Sequence, residues 1–139
     1  MYLLDTNVVS ELRKPKPHGA VLAWMEAVPE TSLFISAFTL GEIQRGIERT
    51  RPCDPAKAAA LDAWADEIAA SANVLPMIVP IFRLWAKLMH GRSDTIYEDA
   101  MLAATAINHQ FTLVTRNTKD FLGFGVLLFN PFEHGNAGR

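Results

Sequence analysis

Four carboxylates, Asp5, Glu42, Asp99 and Asp120, are the side chains of this 139-residue sequence whose positions suggest shared chemistry. Asp5 ends an apolar run, Tyr2-Leu3-Leu4, that reads as a buried first strand. Asp120 closes the loop after another such run, Phe111 to Thr115. Open parallel sheets bind ligands in the crevice beyond the carboxyl ends of their strands, so Asp5 and the Thr115–Asp120 loop approach one crevice on topology alone. Glu42 lies inside the helix that follows the second strand, and Asp99 near the start of the helix before the Phe111 run. Helices so connected could carry both acids to the same place.

Bringing such charges together is costly. Two carboxylates roughly 6 Å apart repel by about 3 kcal/mol at an effective dielectric near 20. Four could not all stay ionised without a cation or proton uptake. Hard oxygen donors with retained water suit Mg²⁺, with Mn²⁺ as a substitute. Such an ion acidifies a bound water and stabilises the oxyanions of phosphodiester displacement, and a pair of ions can clamp the attacking and leaving oxygens. This is nuclease chemistry that needs neither histidine nor cysteine.

Each acid also has a plainer reading. Asp5 could cap the helix that follows it, and Glu42 could be a solvated helix acid. Asp99, beside Glu98, is charge favoured at a helix start. Asp120 follows Asn117 by three positions, which resembles a capping arrangement. Glu11, Glu26, Asp62, Asp66, Glu67 and Asp94 have no motif around them and are expected to be solvated.

The elements that must position the four acids alternate between short apolar strands and helices, the pattern of an α/β domain with a mainly parallel central sheet. After the first strand, Thr6 or Asn7 is expected to cap a short helix ending at Leu12, before the break at Lys14-Pro15-Lys16-Pro17. Ala20 to Val28 has helical spacing and stops at Pro29, and Thr31 to Ile35 reads as a strand. Ser36 caps the helix carrying Glu42, and Asp54-Pro55 opens an alanine-rich helix to about Ala72. Val74 to Met77 is a strand candidate, and Ile81, Leu84, Trp85 and Leu88 form one apolar helix stripe. A helix from Tyr97 to His109, strands at Phe111–Thr115 and Gly125–Phe129, and a stop at Asn130-Pro131 complete the chain. One domain over residues 1–132 is expected, with 133–139 a frayed tail.

The contexts of the four acids resemble the PIN-domain family, and within it the VapC-like toxins of type II toxin–antitoxin modules, including the FitB-like branch. The matching pieces are Leu3-Leu4-Asp5-Thr6-Asn7, then Ser36-x-x-Thr39-x-x-Glu42-Ile43 with Arg45-Gly46 behind it. Asp99-Ala100-Met101-Leu102-Ala103-Ala104-Thr105-Ala106 and Leu113-Val114-Thr115-Arg116-Asn117-Thr118-Lys119-Asp120-Phe121 follow in the family's order, and Gly125-Val126-x-x-x-Asn130-Pro131 closes the series. The resemblance implies a PIN-like three-layer domain and a Mg²⁺-dependent endoribonuclease. It makes Asp5, Glu42 and Asp99 the principal metal-site acids, with Asp120 a fourth that often acts through water. It gives Thr6, Asn7, Thr115 and Asn117 the task of orienting waters or carboxylates, helix capping being the other reading of Asn7. It also implies a homodimer, and a VapB-like antitoxin whose C-terminal segment crosses a hydrophobic groove near the site. DNA would be met only through that antitoxin. Asp94 and Glu98 depart from the usual pattern, and Glu98 is a lesser candidate to reach the metal beside Asp99.

Composition neither adds to nor removes this reading. The chain carries 13 Lys and Arg against 15 Asp and Glu, a net charge of −2, whereas proteins that hold nucleic acid by charge alone are usually basic. The basic residues are clustered, however, and Arg116 and Lys119 lie nearest the acids, where they could meet phosphate or simply be solvated. The histidines have no ligand spacing, and the lone Cys53 has neither a disulfide partner nor a nucleophile signature. Trp24, Trp64 and Trp85 are expected in core or interface more than in base stacking. The apolar stripes Val8, Val9, Leu12 and Val21, Leu22, Trp24, Met25 look larger than a small core requires. No apolar stretch approaches a membrane span, and the first residues lack a signal-peptide pattern, so a cytoplasmic protein is expected. Two rivals stand beside the nuclease. One is a regulatory, DNA-binding complex with the antitoxin and little cleavage. The other is a phosphatase using Asp5 as nucleophile, disfavoured because Asn7 stands where such enzymes carry a second acid.

Overall fold

Strand side chains alternate between the two faces of a sheet, so an apolar doublet is buried only if both faces are covered. Leu3-Leu4 and Leu113-Val114 are such doublets, and all four are buried. Leu4 and Val114 join one core cluster with Val8, Val21, Trp24, Ile43 and Ile47. Leu3 and Leu113 join a second with Ala103, Ala106 and Phe121. The result is three layers, helix–sheet–helix, the fold expected of a PIN-like chain. The computed structural model describes residues 1–135.

The strands are β1 (Tyr2–Leu4), β2 (Leu33–Ser36), β3 (Asn73–Leu75), β4 (Thr112–Val114) and β5 (Leu128–Phe129). They form one sheet in the order β3-β2-β1-β4-β5, with every pairing parallel. Helices α1 (Thr6–Leu12), α2 (Gly19–Ala27), α3 (Ala37–Thr50) and α4 (Pro55–Ser71) supply the first cluster. Helices α5 (Val79–Met89) and α6 (Tyr97–His109), with the 3₁₀ segment Thr118–Phe124, cover the other face. The chain moves outward from β1 to β2 and β3, then crosses over to place β4 on β1's other side. The carboxyl ends of β1 and β4 therefore flank the switch point, where such sheets open a crevice.

Local chemistry sets most boundaries. Ser36 Oγ accepts from Phe38 N–H at 3.0 Å and Asp54 Oδ1 from Lys57 N–H at 3.0 Å, so both expected caps form. In α6 all residues from Ala100 to Ala106 are buried, and its alanines let the helix lie close against the sheet. Other expectations need correction. Asp5, and neither Thr6 nor Asn7, caps α1. A 3₁₀ turn at Glu30–Ser32 delays β2 to Leu33. Strand β3 stops before Pro76, which has no N–H for a ladder. Gly125 takes φ 72° to close the 3₁₀ segment, leaving β5 only two residues. Glu11 is 5% exposed, not solvated, because its carboxylate accepts from Lys14 Nζ at 3.0 Å and His18 N–H at 3.2 Å and so pins the proline-containing loop. Val8, Val9, Val21 and Trp24 are consumed by the core, leaving Leu22 the exposed member of the apolar stripes. Residues 136–139 of the expected tail lie outside the described residues, while Pro131–Glu133 forms a 3₁₀ turn.

Candidate metal centre

Asp5 is held more firmly than a capping residue requires. One oxygen accepts from Thr6 N–H at 2.7 Å, which caps α1. The other accepts from Thr115 Oγ1 at 2.7 Å and Asn7 Nδ2 at 3.1 Å. Thr115 follows β4 directly and is fully buried, so its hydroxyl ties the ends of the two central strands together. That hydroxyl in turn accepts from Asn117 N–H at 3.1 Å. Asn7 Oδ1 accepts from Arg116 N–H at 3.4 Å, which links α1 to the loop after β4. Asp5 is 8% exposed, and burial raises its pKa against these hydrogen bonds, the charge of Asp120 adding to the rise.

Glu42 faces the same crevice from α3, accepting from Thr6 Oγ1 at 2.9 Å. Its pKa is pushed up to about 7, first by burial and then by a hydrogen bond with Glu98, with Asp5 contributing repulsion. Asp99, in the first turn of α6, rises to about 6 through burial and the charges of Asp120, Asp5 and Glu98, with no hydrogen bond to offset them. Asp120 is exposed on the 3₁₀ segment, and its charge acts on both Asp5 and Asp99. Asp5, Asp99 and Asp120 thus act on one another's charge, and Glu42 joins them through Asp5.

The supporting residues divide. Thr6, Asn7 and Thr115 each bond a carboxylate of the set. Asn117 takes part through its backbone, and its side chain does not cap the 3₁₀ segment. Arg116 is exposed and lays its guanidinium over Phe132, 4.4 Å from the ring centroid. Lys119 is exposed. Glu98, from sequence a lesser candidate beside Asp99, stands next to this set, its charge acting on both Glu42 and Asp99. It accepts from Tyr97 Oη at 2.8 Å and Arg45 Nη1 at 3.2 Å, and its proximity helps raise the pKa of Glu42. Its adjacency to Asp99 was the only signal, since helix neighbours point in different directions and the contact to α3 is not local.

Among the described residues no three acidic, histidine or cysteine side chains are drawn close enough to cage an ion as they stand. Burial first, and then neighbouring negative charge, make Glu42 and Asp99 hold protons more tightly. The donor set does fit a hard divalent cation. It consists of carboxylate oxygens backed by hydroxyls, and the burial and neighbouring negative charge that together lift Glu42 and Asp99 are what a bound cation would offset.

A model of the family described as PIN domain matches residues 2–124. The chain is 35% identical to the VapC ribonuclease Y4jK of Sinorhizobium fredii over 96% of its length and 99% of the relative's. It is 30% identical to the toxin FitB of Neisseria gonorrhoeae over 96% and 99%. The crystal structure of FitAcB from that organism superposes with a TM-score of 0.77 at 29% identity, covering 95% of this chain and 99% of that one. With the matched region running from β1 through the 3₁₀ segment that carries Asp120, the chain belongs to the PIN-domain family.

Proposed function

We propose that this chain is a toxin endoribonuclease of a type II toxin–antitoxin module, hydrolysing phosphodiester bonds of RNA with Mg²⁺, or Mn²⁺ in its place. The observation that supports the reading is the mutual charge of Asp5, Asp99 and Asp120, with Glu42 joined to Asp5 by charge and tied to Thr6 beside it, at the carboxyl ends of β1 and β4. The names of its full-length relatives, a ribonuclease and a toxin, support the same reading. Asp5, Glu42 and Asp99 would hold the ion, and Asp120 would reach it directly or through water. When bound, the ion supplies a more acidic water and charge neutralisation at the phosphate.

The chain's own residues do the rest. Thr115 and Asn7 orient one oxygen of Asp5 while Thr6 N–H holds the other. Thr6 Oγ1 aims Glu42, and Arg45 with Tyr97 restrains Glu98 against it. Arg116 and Lys119, on the rim, would meet backbone phosphates. The protein would act in the cytoplasm as a homodimer. A VapB-like antitoxin would assemble with it and carry any contact to DNA. Among the described residues no helix is long and apolar enough to cross a membrane.

The test is incubation of purified, antitoxin-free protein with total RNA, with and without Mg²⁺, beside Asp5→Asn. Discrete cuts that need the metal and vanish in the variant are expected, with melting unchanged within a few degrees because asparagine is also a good helix cap. Full activity in Asp5→Asn would remove the site assignment. Absence of cuts by folded, metal-loaded protein would move the weight to the regulatory complex.

A further inference from the structure

Helices α1, α3 and α4 each turn one face toward a groove of about 290 Å³ that starts at the Thr6–Glu42 hydrogen bond and runs away from the sheet. Helical spacing builds it: Ser10 and Arg13 continue the face of Thr6, Gly46 and Thr50 continue that of Glu42, and Lys57 and Trp64 line it from α4. Three features of this groove have no part in the fold or the acidic site. Arg13 lies with its guanidinium carbon 5.9 Å from the Trp64 ring centroid, which holds a cation over an aromatic face. Arg45 is paired with Glu98, Arg51 with Glu48 and Asp62, and Lys14 with Glu11, whereas among the described residues Arg13 and Lys57, like nearby Arg49, make no ion pair and keep their charge for another partner. Gly46 sits mid-helix, where glycine weakens the helix, yet a Cβ there would meet nothing within 4 Å. Its missing side chain keeps the groove floor open.

We propose that this groove is a subsite for single-stranded RNA, seating the nucleotides on one side of the bond cut at the acidic centre. This rests on the nuclease reading above. Charge complementarity carries it: a groove lined by Glu42 of the acidic set and by the unpaired cations Arg13 and Lys57 suits a polyanion whose cleaved phosphate lies at the acids and whose next phosphates need counter-charge. Arg13 and Trp64, together in the groove wall, offer a cation and an aromatic ring that an unstacked base can meet, a sequence-tolerant contact typical of single strands. Thr50 and Ser10 add hydroxyls along the walls.

The test uses the full chain and a fluorescein-labelled 12-nucleotide RNA pool of random sequence. Binding is measured in the Asp5→Asn background, where the strand is not cut, and cleavage kinetics in the wild-type background. The variants are Arg13→Gln with Lys57→Gln, Gly46→Gln, and Arg83→Gln with Lys87→Gln on α5 across the sheet as a control of equal charge change. The double variant should bind about tenfold more weakly, with the slope of log Kd against log salt reduced by about 1.4, roughly 0.7 for each lost single-strand phosphate contact. Its KM should rise with kcat held, because the groove touches the flanking strand and not the reacting atoms. Gly46→Gln, which favours the helix, should melt no lower than its parent and still show the raised KM. Unchanged Kd and KM in both groove variants, with wild-type cleavage intact, would overturn the groove assignment alone and leave that surface to a protein partner. A loss equalled by the Arg83→Gln, Lys87→Gln control would overturn it too, since net charge would then suffice. Wild-type protein that neither binds nor cuts the pool in Mg²⁺ would overturn the nuclease reading and the groove with it.

Discussion

Glu42→Gln should stabilise the metal-free protein at alkaline pH while removing its activity. Burial, the bonded Glu98 and the charge of Asp5 lift the Glu42 carboxyl from an ordinary 4.5 to about 7, against the Thr6 hydroxyl bond that lowers it. The folded chain therefore binds its proton more tightly than the unfolded chain does. This contribution to stability is fully present below about pH 4.5 and is lost as pH rises through about 7. Above that pH the folded state carries an ionised Glu42 at a ceiling cost of about 3 kcal/mol. The side chain is partly exposed and shares its proton with Glu98, so solvent screening reduces the cost to about 1–2 kcal/mol. Glutamine keeps the shape, still accepts from Thr6 and can donate to Glu98, but never ionises. For a chain of this length the unfolding entropy is about 0.3 kcal/mol/K, which converts the gain into a melting temperature about 3–7 °C higher. The measurement is thermal melting followed by circular dichroism at pH 5 and pH 8 in EDTA. The two proteins should coincide at pH 5 and separate at pH 8. Mg²⁺ should close the gap, since an ion at ten times its Kd adds about 1.4 kcal/mol to the protein that binds it. A variant less stable than wild type at pH 8 in EDTA, or a gain of equal size at both pH values, would refute the reasoning.

Thr115→Val removes the hydroxyl that donates to Asp5 and accepts from Asn117 N–H. Urea unfolding should show a loss of about 1–3 kcal/mol for the unsatisfied buried groups. The Mg²⁺ concentration needed for half-maximal cleavage should rise about tenfold or more, with Thr115→Ser restoring both and an unchanged Mg²⁺ requirement in the valine variant arguing against a bracing role. Arg92 Nη2 donates to the Gly123 carbonyl at 2.6 Å, and its guanidinium lies 4.6 Å from the Phe124 ring centroid, tying the segment before Asp99 to the one bearing Asp120. A Cβ at Gly123 would stand 2.8 Å from Arg92 Nη1 and expel it. Arg92→Ala and Gly123→Ala should each raise the Mg²⁺ requirement a few-fold, and the double variant should be no worse than either single one, because both remove one interaction; fully additive effects in a double-mutant cycle would show that they act separately.

Much of this protein is legible along the chain because its signals are local. Ser36 and Asp54-Pro55 announce helices α3 and α4 through capping chemistry confined to one turn. Apolar runs at Tyr2–Leu4 and Thr112–Val114 announce buried strands, and their trailing Asp5 and Thr115 belong to the crevice end by the direction of the chain. The acids at 5, 42, 99 and 120 could be singled out because their surrounding motifs occur in the family's order. What tertiary structure alone decides depends on groups far apart in the chain. The order β3-β2-β1-β4-β5 makes Thr115, 110 positions away, the partner of Asp5. The fold brings Glu98 of α6 to Arg45 and Glu42 of α3, where its charge helps set the protonation of Glu42. Glu11 passes from solvated to buried because a loop folds back and offers it a lysine and an amide. The groove of Arg13, Gly46 and Lys57 exists only where three helices meet. Capping and periodicity act over one or two helical turns, whereas burial, pairing and mutual repulsion depend on distances through space that the order of residues does not contain.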